Sequence, residues 1–194
     1  MKHLTIILLA LVSAFASFAQ EVTSYAYVTK SNVNLRTQPS TSSAVFGKAE
    51  LGNIYLVMQT KGDWTQIEVS NGPDSDYPWI SSKFVETLNH TGFPKEKLDA
   101  SFSYEDGPDF GMLSFENAGK DEYDNDLIRY SYWIKNRDMQ NDGGTGIVVN
   151  ESGTVLYLGS LSQPEQYMDE VGSAIYDEKK GLLWYGGFLW KEDK

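Results

Sequence analysis

Short runs that alternate apolar and polar residues, each closed by glycine, proline, asparagine or aspartate, recur from Tyr25 to Lys191. That punctuation constrains the fold more than any other feature, because period-two alternation builds strands and frequent turns forbid long helices. In the first half, "YAYVT", "NVNL", "NIYLVMQT", "WTQIEV" and "PWISSKFVE" read as strands. Between them lie "QPSTSS", "ELGN", "TKGD" and "SNGPDSDYP", which carry the residues that turn a chain. In the second half, "FGMLSFE", "LIRYSYWIK", "GIVV", "TVLYLGSL", "GSAIYD" and "GLLWYGGFLWK" read likewise, with "NESG" and "DEKKG" as hairpin turns. Ile128, Tyr130, Tyr132 and Ile134 share one strand face. Only "SQPEQYMDE" predicts a short helix, with Ser162 as cap and Glu165 reaching back. The chain is therefore expected to be all-β, a small barrel followed by a second antiparallel β domain, either a meander or another small barrel.

Residues 1–19 depart from this pattern. Lys2 and His3 precede an apolar run, and Ser17 and Ala19 suit cleavage after Ala19, the layout of a secretory signal peptide. An exported protein, periplasmic or extracellular, is expected. About 175 residues remain, enough for packed cores without cross-links. The polar stretch "TLNHTGFPKEKL", residues 87–98, predicts a linker between units at 25–86 and 99–194.

The chemical inventory is narrow. There is no cysteine, so thiol nucleophiles, thiolate metal sites and an N-terminal lipidated cysteine are excluded. Of the two histidines, His3 leaves with the signal and His90 stands alone, which rules out multi-histidine metal sites. Residues 27–86 hold 6 acids against 5 bases, whereas residues 96–194 hold 20 against 9. Such a field repels nucleic acid, and acidic solubilisation of an exported surface accounts for it.

Residues 27–86 resemble the bacterial SH3 domain family. The resemblance rests on "VNLRTQPSTSSAVFGKAELGNIYLV", "GDWTQIEV" and "PWISSKFVE". Asn34, Leu35, Arg36, Pro39, Ser40, Ser43, Val45, Gly47, Gly52, Trp64, Trp79 and Ser81 stand at the family's pattern positions. The resemblance implies an SH3-like barrel that binds a cell-envelope peptide or protein and does not catalyse. Two departures stand out. Gln38 replaces a usual glycine, and the last strand follows an extended "SNGPDSDYPW" with Pro78 directly before Trp79. Residues 99–194 carry no such resemblance.

The ligand-binding candidates are Arg36, Gln38, Tyr77 and Trp79. Arg36 offers a planar fork to a carboxylate; the competing reading is an internal ion pair or a solvated side chain. Trp79 offers a stacking surface beside the extended loop, whereas Trp64 is expected in the core. "DEYDND" (121–126) and "DMQNDGGTG" (138–146) hint at calcium, but Val149 stands where an EF-hand needs glutamate, and solvated turns are favoured. No metal and no cofactor are expected. Glu105, Asp106 and Asp109 hint at a carboxylate hydrolase, a weak alternative because spacing along a loop does not give separation in space. In "GLLWYGGFLWK", read as one strand, Trp184, Phe188 and Trp190 share a face opposite Tyr185 and Leu189. A small-ligand carrier in the second unit, with an aromatic-lined cavity, is the remaining alternative.

Overall fold

The computed structural model describes residues 23–71, 74–107, 109–135, 140–149, 154–158 and 173–194. The expected signal peptide and the expected helix at 162–170 lie outside the described residues.

Nine strands build the first unit: β1 (Thr23–Val28), β2 (Val33–Arg36), β3 (Val45–Ala49), β4 (Ile54–Lys61), β5 (Trp64–Ile67), β6 (Val69–Asn71), β7 (Asp74–Asp76), β8 (Trp79–Ser81) and β9 (Val85–His90). Seven form one antiparallel sheet in the order β3-β2-β8-β5-β4-β1-β9, and β6 pairs with β7 separately. The alternation seen in the sequence sets the core. Val33 and Leu35 point inward from β2 with Ala26, Val28, Ala49, Ile67 and Ile80, while Asn34 and Arg36 face out. The extended segment before Trp79 is a small hairpin, with Val69 opposite Asp76 and Ser70 opposite Ser75.

The second unit is a closed antiparallel barrel of eight strands. They are β10 (Ser101–Asp106), β11 (Asp109–Lys120), β12 (Asp126–Lys135), β13 (Gln140–Val149), β14 (Thr154–Leu158), β15 (Ser173–Asp177), β16 (Leu182–Tyr185) and β17 (Phe188–Glu192). β10 pairs with β17 to close the ring, which removes both sheet edges. The interior is aromatic: Phe102 meets Phe115 and Tyr176, and Tyr104 meets Trp190, edge-on or tilted at 5.5–6.2 Å. Ile128, Tyr130 and Ile134 of β12 lie buried on one face with Tyr132 packed against them, as the sequence led us to expect. Among the described residues there is no α-helix, only two single 3-10 turns, Ser82–Phe84 and Lys95–Lys97.

Three sequence readings are corrected here. Residues 87–98 are not a loose linker. Their first part completes β9, and Phe93 and Leu98 are buried in the second barrel's core. Phe93 touches the rings of Phe115 and Tyr176 at 5.3 and 5.2 Å, so an isolated phenylalanine between polar neighbours serves as the barrel's stopper. "GLLWYGGFLWK" is two strands, not one. Gly186 and Gly187 have φ of 61° and 83°, the paired positive values of a two-residue hairpin turn, and Tyr185 faces Phe188 across it. The reversal puts Trp190 inside the barrel with Leu183 and Tyr185, and Trp184 outside with Leu182 and Leu189. Glu105, Asp106 and Asp109, read as loop residues, lie in strands: the first two end β10 and Asp109 begins β11.

The outward apolar side chains of β16 and β17 are covered by the first unit. Ile175, Leu182, Trp184 and Leu189 pack against Tyr25, Tyr27, Ile54 and Leu88. Polar contacts lock this seam. Asn89 N donates to Asp177 Oδ2 at 2.9 Å, Thr91 N donates to Tyr176 O at 3.1 Å, and Trp184 Nε1 donates to Gly52 O at 3.3 Å. Gly52 sits so close to the second barrel that a Cβ there would lie 2.7 Å from Gly187 O. The edge of β9, open in an isolated first unit, is thereby sealed against β15.

His90 closes the same seam, accepting the Tyr176 N–H at Nδ1 over 3.2 Å. Burial pushes its pKa below the ordinary value, and the acceptor role requires Nδ1 to be unprotonated. The folded chain thus takes up a proton less readily than the unfolded chain. The seam's stability is complete above the ordinary imidazole pKa of about 6.5 and falls as pH drops through it toward the lowered folded value. Urea midpoints at pH 7.5 and 5.5 are expected to differ in the parent and to converge in His90→Gln. An equal pH difference in both proteins would assign the effect to other groups.

Candidate binding cleft on the first unit

Arg36 ends β2, and Pro39 follows after Thr37 and Gln38. The intervening loop is uncharged because it satisfies itself. Thr37 N donates to Ala44 O at 3.1 Å, and Ser43 Oγ donates to the carbonyls of Gln38 and Ser40 at 2.9 and 3.0 Å. Arg36 Nη1 donates to Ser43 O at 2.7 Å and clamps the loop across its base. Gln38 keeps an ordinary negative φ, so the loop needs no glycine there.

Beside this loop lies a cleft of about 260 Å³. Its base is the outer face of the sheet, formed by Asn34 and Arg36 of β2, Trp64 of β5 and Ser81 of β8. Lys30 and Asn32 flank it on one side, and Thr41, Lys83 and Phe84 complete the wall. Trp64 faces Ser81 across the β5–β8 ladder, which aims the indole outward, while its neighbour Thr65 is buried. Lys83 Nζ stands 4.8 Å above the Phe84 ring. Three cations line the cleft and no carboxylate does, so the cleft is electropositive in a chain of net charge −11.

Of the four sequence candidates, only Arg36 lines this cleft. Gln38 is exposed on the loop and contributes its carbonyl to the loop's own bonding. Tyr77 is exposed in the link between β7 and β8, where its carbonyl accepts Gln66 Nε2 at 2.8 Å. Trp79 is 7% exposed, paired with Arg36 and Gln66 on the ladder, and offers no stacking face. Trp64, expected in the core, is the cleft's aromatic residue instead. The readable signal was its place in "DWTQI", where Thr65 and Ile67 take the inward positions and leave Trp64 and Gln66 outside.

The other candidates separate cleanly. Residues 121–126 form the β11–β12 turn, in which Asp121 accepts Tyr123 N, Asn125 N and Asn125 Nδ2 at 2.8–3.0 Å. Its hydrogen bond from the Asn125 side chain holds the Asp121 carboxyl below the usual range. No group of three metal-ligating side chains occurs among the described residues. Asp138 lies outside the described residues. Glu105 and Asp106 line a cleft between the units with Tyr27, Thr29, Leu51, Tyr104 and Leu189. Both carboxylates come from the end of β10, and Asp106 is paired with Asp109 of β11 across the ladder. The described side chains inside the second barrel pack ring on ring.

No protein-family model and no curated protein matches the sequence.

Proposed function

We propose that this chain is an exported, non-catalytic binding protein. Its first unit, an SH3-like barrel, takes a cell-envelope peptide or protein in the Arg36–Trp64–Lys83 cleft. One observation carries the reading: three cations and two aromatic rings share a cleft with no carboxylate, on a protein whose overall charge is strongly negative. Such a site suits a segment that carries a carboxylate beside apolar atoms. The ammonium groups of Lys30 and Lys83 meet the charge, and Trp64 meets the body. The guanidinium of Arg36, which lines the cleft, has one nitrogen committed to Ser43 O and carries further donors.

The experiment is retention of the chain, freed of residues 1–19, on purified peptidoglycan and on immobilised envelope peptides. Lys83→Ala is expected to weaken retention about tenfold while leaving the urea midpoint unchanged, because Lys83 holds no structural hydrogen bond. Arg36→Ala is expected to weaken retention and also loosen the loop. Full retention of both variants sinks the reading.

A further inference from the structure

The outer wall of the second barrel, on β11 and β12, carries side chains that neither core nor seam accounts for. Along these strands four outward pairs lie in register: Phe110 with Lys135, Met112 with Trp133, Ser114 with Ser131, and Glu116 with Arg129. The residues between them, Gly111, Leu113, Phe115, Tyr130 and Ile134, turn inward and are buried, which holds the outward set rigidly in place. Phe110, Met112 and Trp133 are 39%, 41% and 37% exposed. Trp133 and Phe110 meet edge-on at 5.5 Å, and Lys135 Nζ caps the Phe110 ring at 5.1 Å. Further along, Arg129 Nη1 donates to Glu116 Oε2 at 3.0 Å. The strip therefore passes from aromatic to hydroxyl to a charge-balanced ion pair.

We infer that this strip is a binding platform for a neutral glycan chain. A pyranose presents C–H groups on its faces and hydroxyls on its rim. Its faces match the exposed Trp133 and Met112 surfaces, and its rim matches Ser114, Ser131 and the Glu116–Arg129 pair, which offers acceptors and donors together. Four pairs spaced two residues apart span about 20 Å, a length that takes several sugar rings in line. The balance of charge among the described residues favours an uncharged ligand: Glu116 pairs with Arg129, and Lys135, whose ammonium lies over the Phe110 ring, is matched by Glu105 in register on the other side of that ring. A second copy of the chain is a poor occupant. Three side chains of roughly 200 Å² each, about four-tenths exposed, offer about 240 Å² per copy. Two copies would bury only about 480 Å² from these apolar side chains, less than the apolar share of a ~1,200 Å² interface.

Calorimetric titration of the chain with two neutral β-linked tetrasaccharides, one of glucose and one of N-acetylglucosamine, tests this. Saturable binding of at least one is expected, and the preferred sugar tells whether acetamido groups are recognised. Trp133→Ala is expected to weaken that binding about tenfold or more with an unchanged urea midpoint, and Arg129→Ala several-fold. Lys83→Ala should leave it untouched, which separates this platform from the cleft on the first unit. Absence of binding to both sugars at millimolar concentration overturns the inference. So does undiminished binding by Trp133→Ala, or Trp133-dependent binding of envelope peptides with neither sugar bound.

Discussion

Replacing Phe93 by alanine is expected to destabilise the protein by about 3–5 kcal/mol, the cost of emptying a large aromatic site in a packed core. The size follows from its surroundings. Phe93 is 4% exposed and lies against Phe102, Phe115 and Tyr176, with ring centroids 5.2–6.4 Å away. Those partners belong to different strands, so collapse into the void would require the barrel wall itself to shift. Equilibrium urea unfolding checks the value. A change below about 1 kcal/mol would mean that residues 87–98 are the plain tether their composition suggests. Phe93→Leu, which keeps most of the volume, should recover much of the loss.

The second large effect is at the seam. Asp177 is 1% exposed, and its two oxygens accept different backbone donors: Asn89 N from β9 at 2.9 Å and Lys180 N at 3.1 Å. One carboxylate therefore ties the edge of the first unit to the β15–β16 turn. Asp177→Ala is expected to cost roughly 1–3 kcal/mol, because it strands a donor that water reaches poorly. It should also separate the unfolding of the two units, since the lost bond spans them. Fluorescence and far-ultraviolet dichroism, coincident in the parent, are expected to part in the variant. Asp177→Asn retains one acceptor oxygen, and its loss should be smaller. Coincident transitions with unchanged midpoint would show that the apolar seam of Leu88, Ile175 and Trp184 suffices by itself.

Much of this architecture was legible in the residues. β12 announced its buried face through Ile128, Tyr130, Tyr132 and Ile134, because a strand with one face on a core must alternate. Arg36 was legible at the end of its strand, before a proline-led loop, and there it lines the cleft. Trp64 was misread as core, because an indole alone does not say which face of a sheet it occupies; the alternation of Thr65 and Ile67 beside it does. Trp79 failed for the complementary reason. It shares a face with Arg36 and Gln66 yet is buried, and its place on the strand does not announce that burial. The Gly186–Gly187 pair was a readable hairpin signal, and reading through it as one strand put Trp184 and Trp190 on one face, whereas they lie on opposite faces.

Residue patterning alone settled an all-β chain, because alternation and turn chemistry act over a few neighbouring positions. Tertiary structure alone decided that Phe93 plugs a barrel, that β16 and β17 are apolar on both faces because two units share them, and that Arg36, Trp64 and Lys83 meet in one cleft. Those outcomes depend on which strands become neighbours, and contacts between residues remote in sequence leave no local periodic trace.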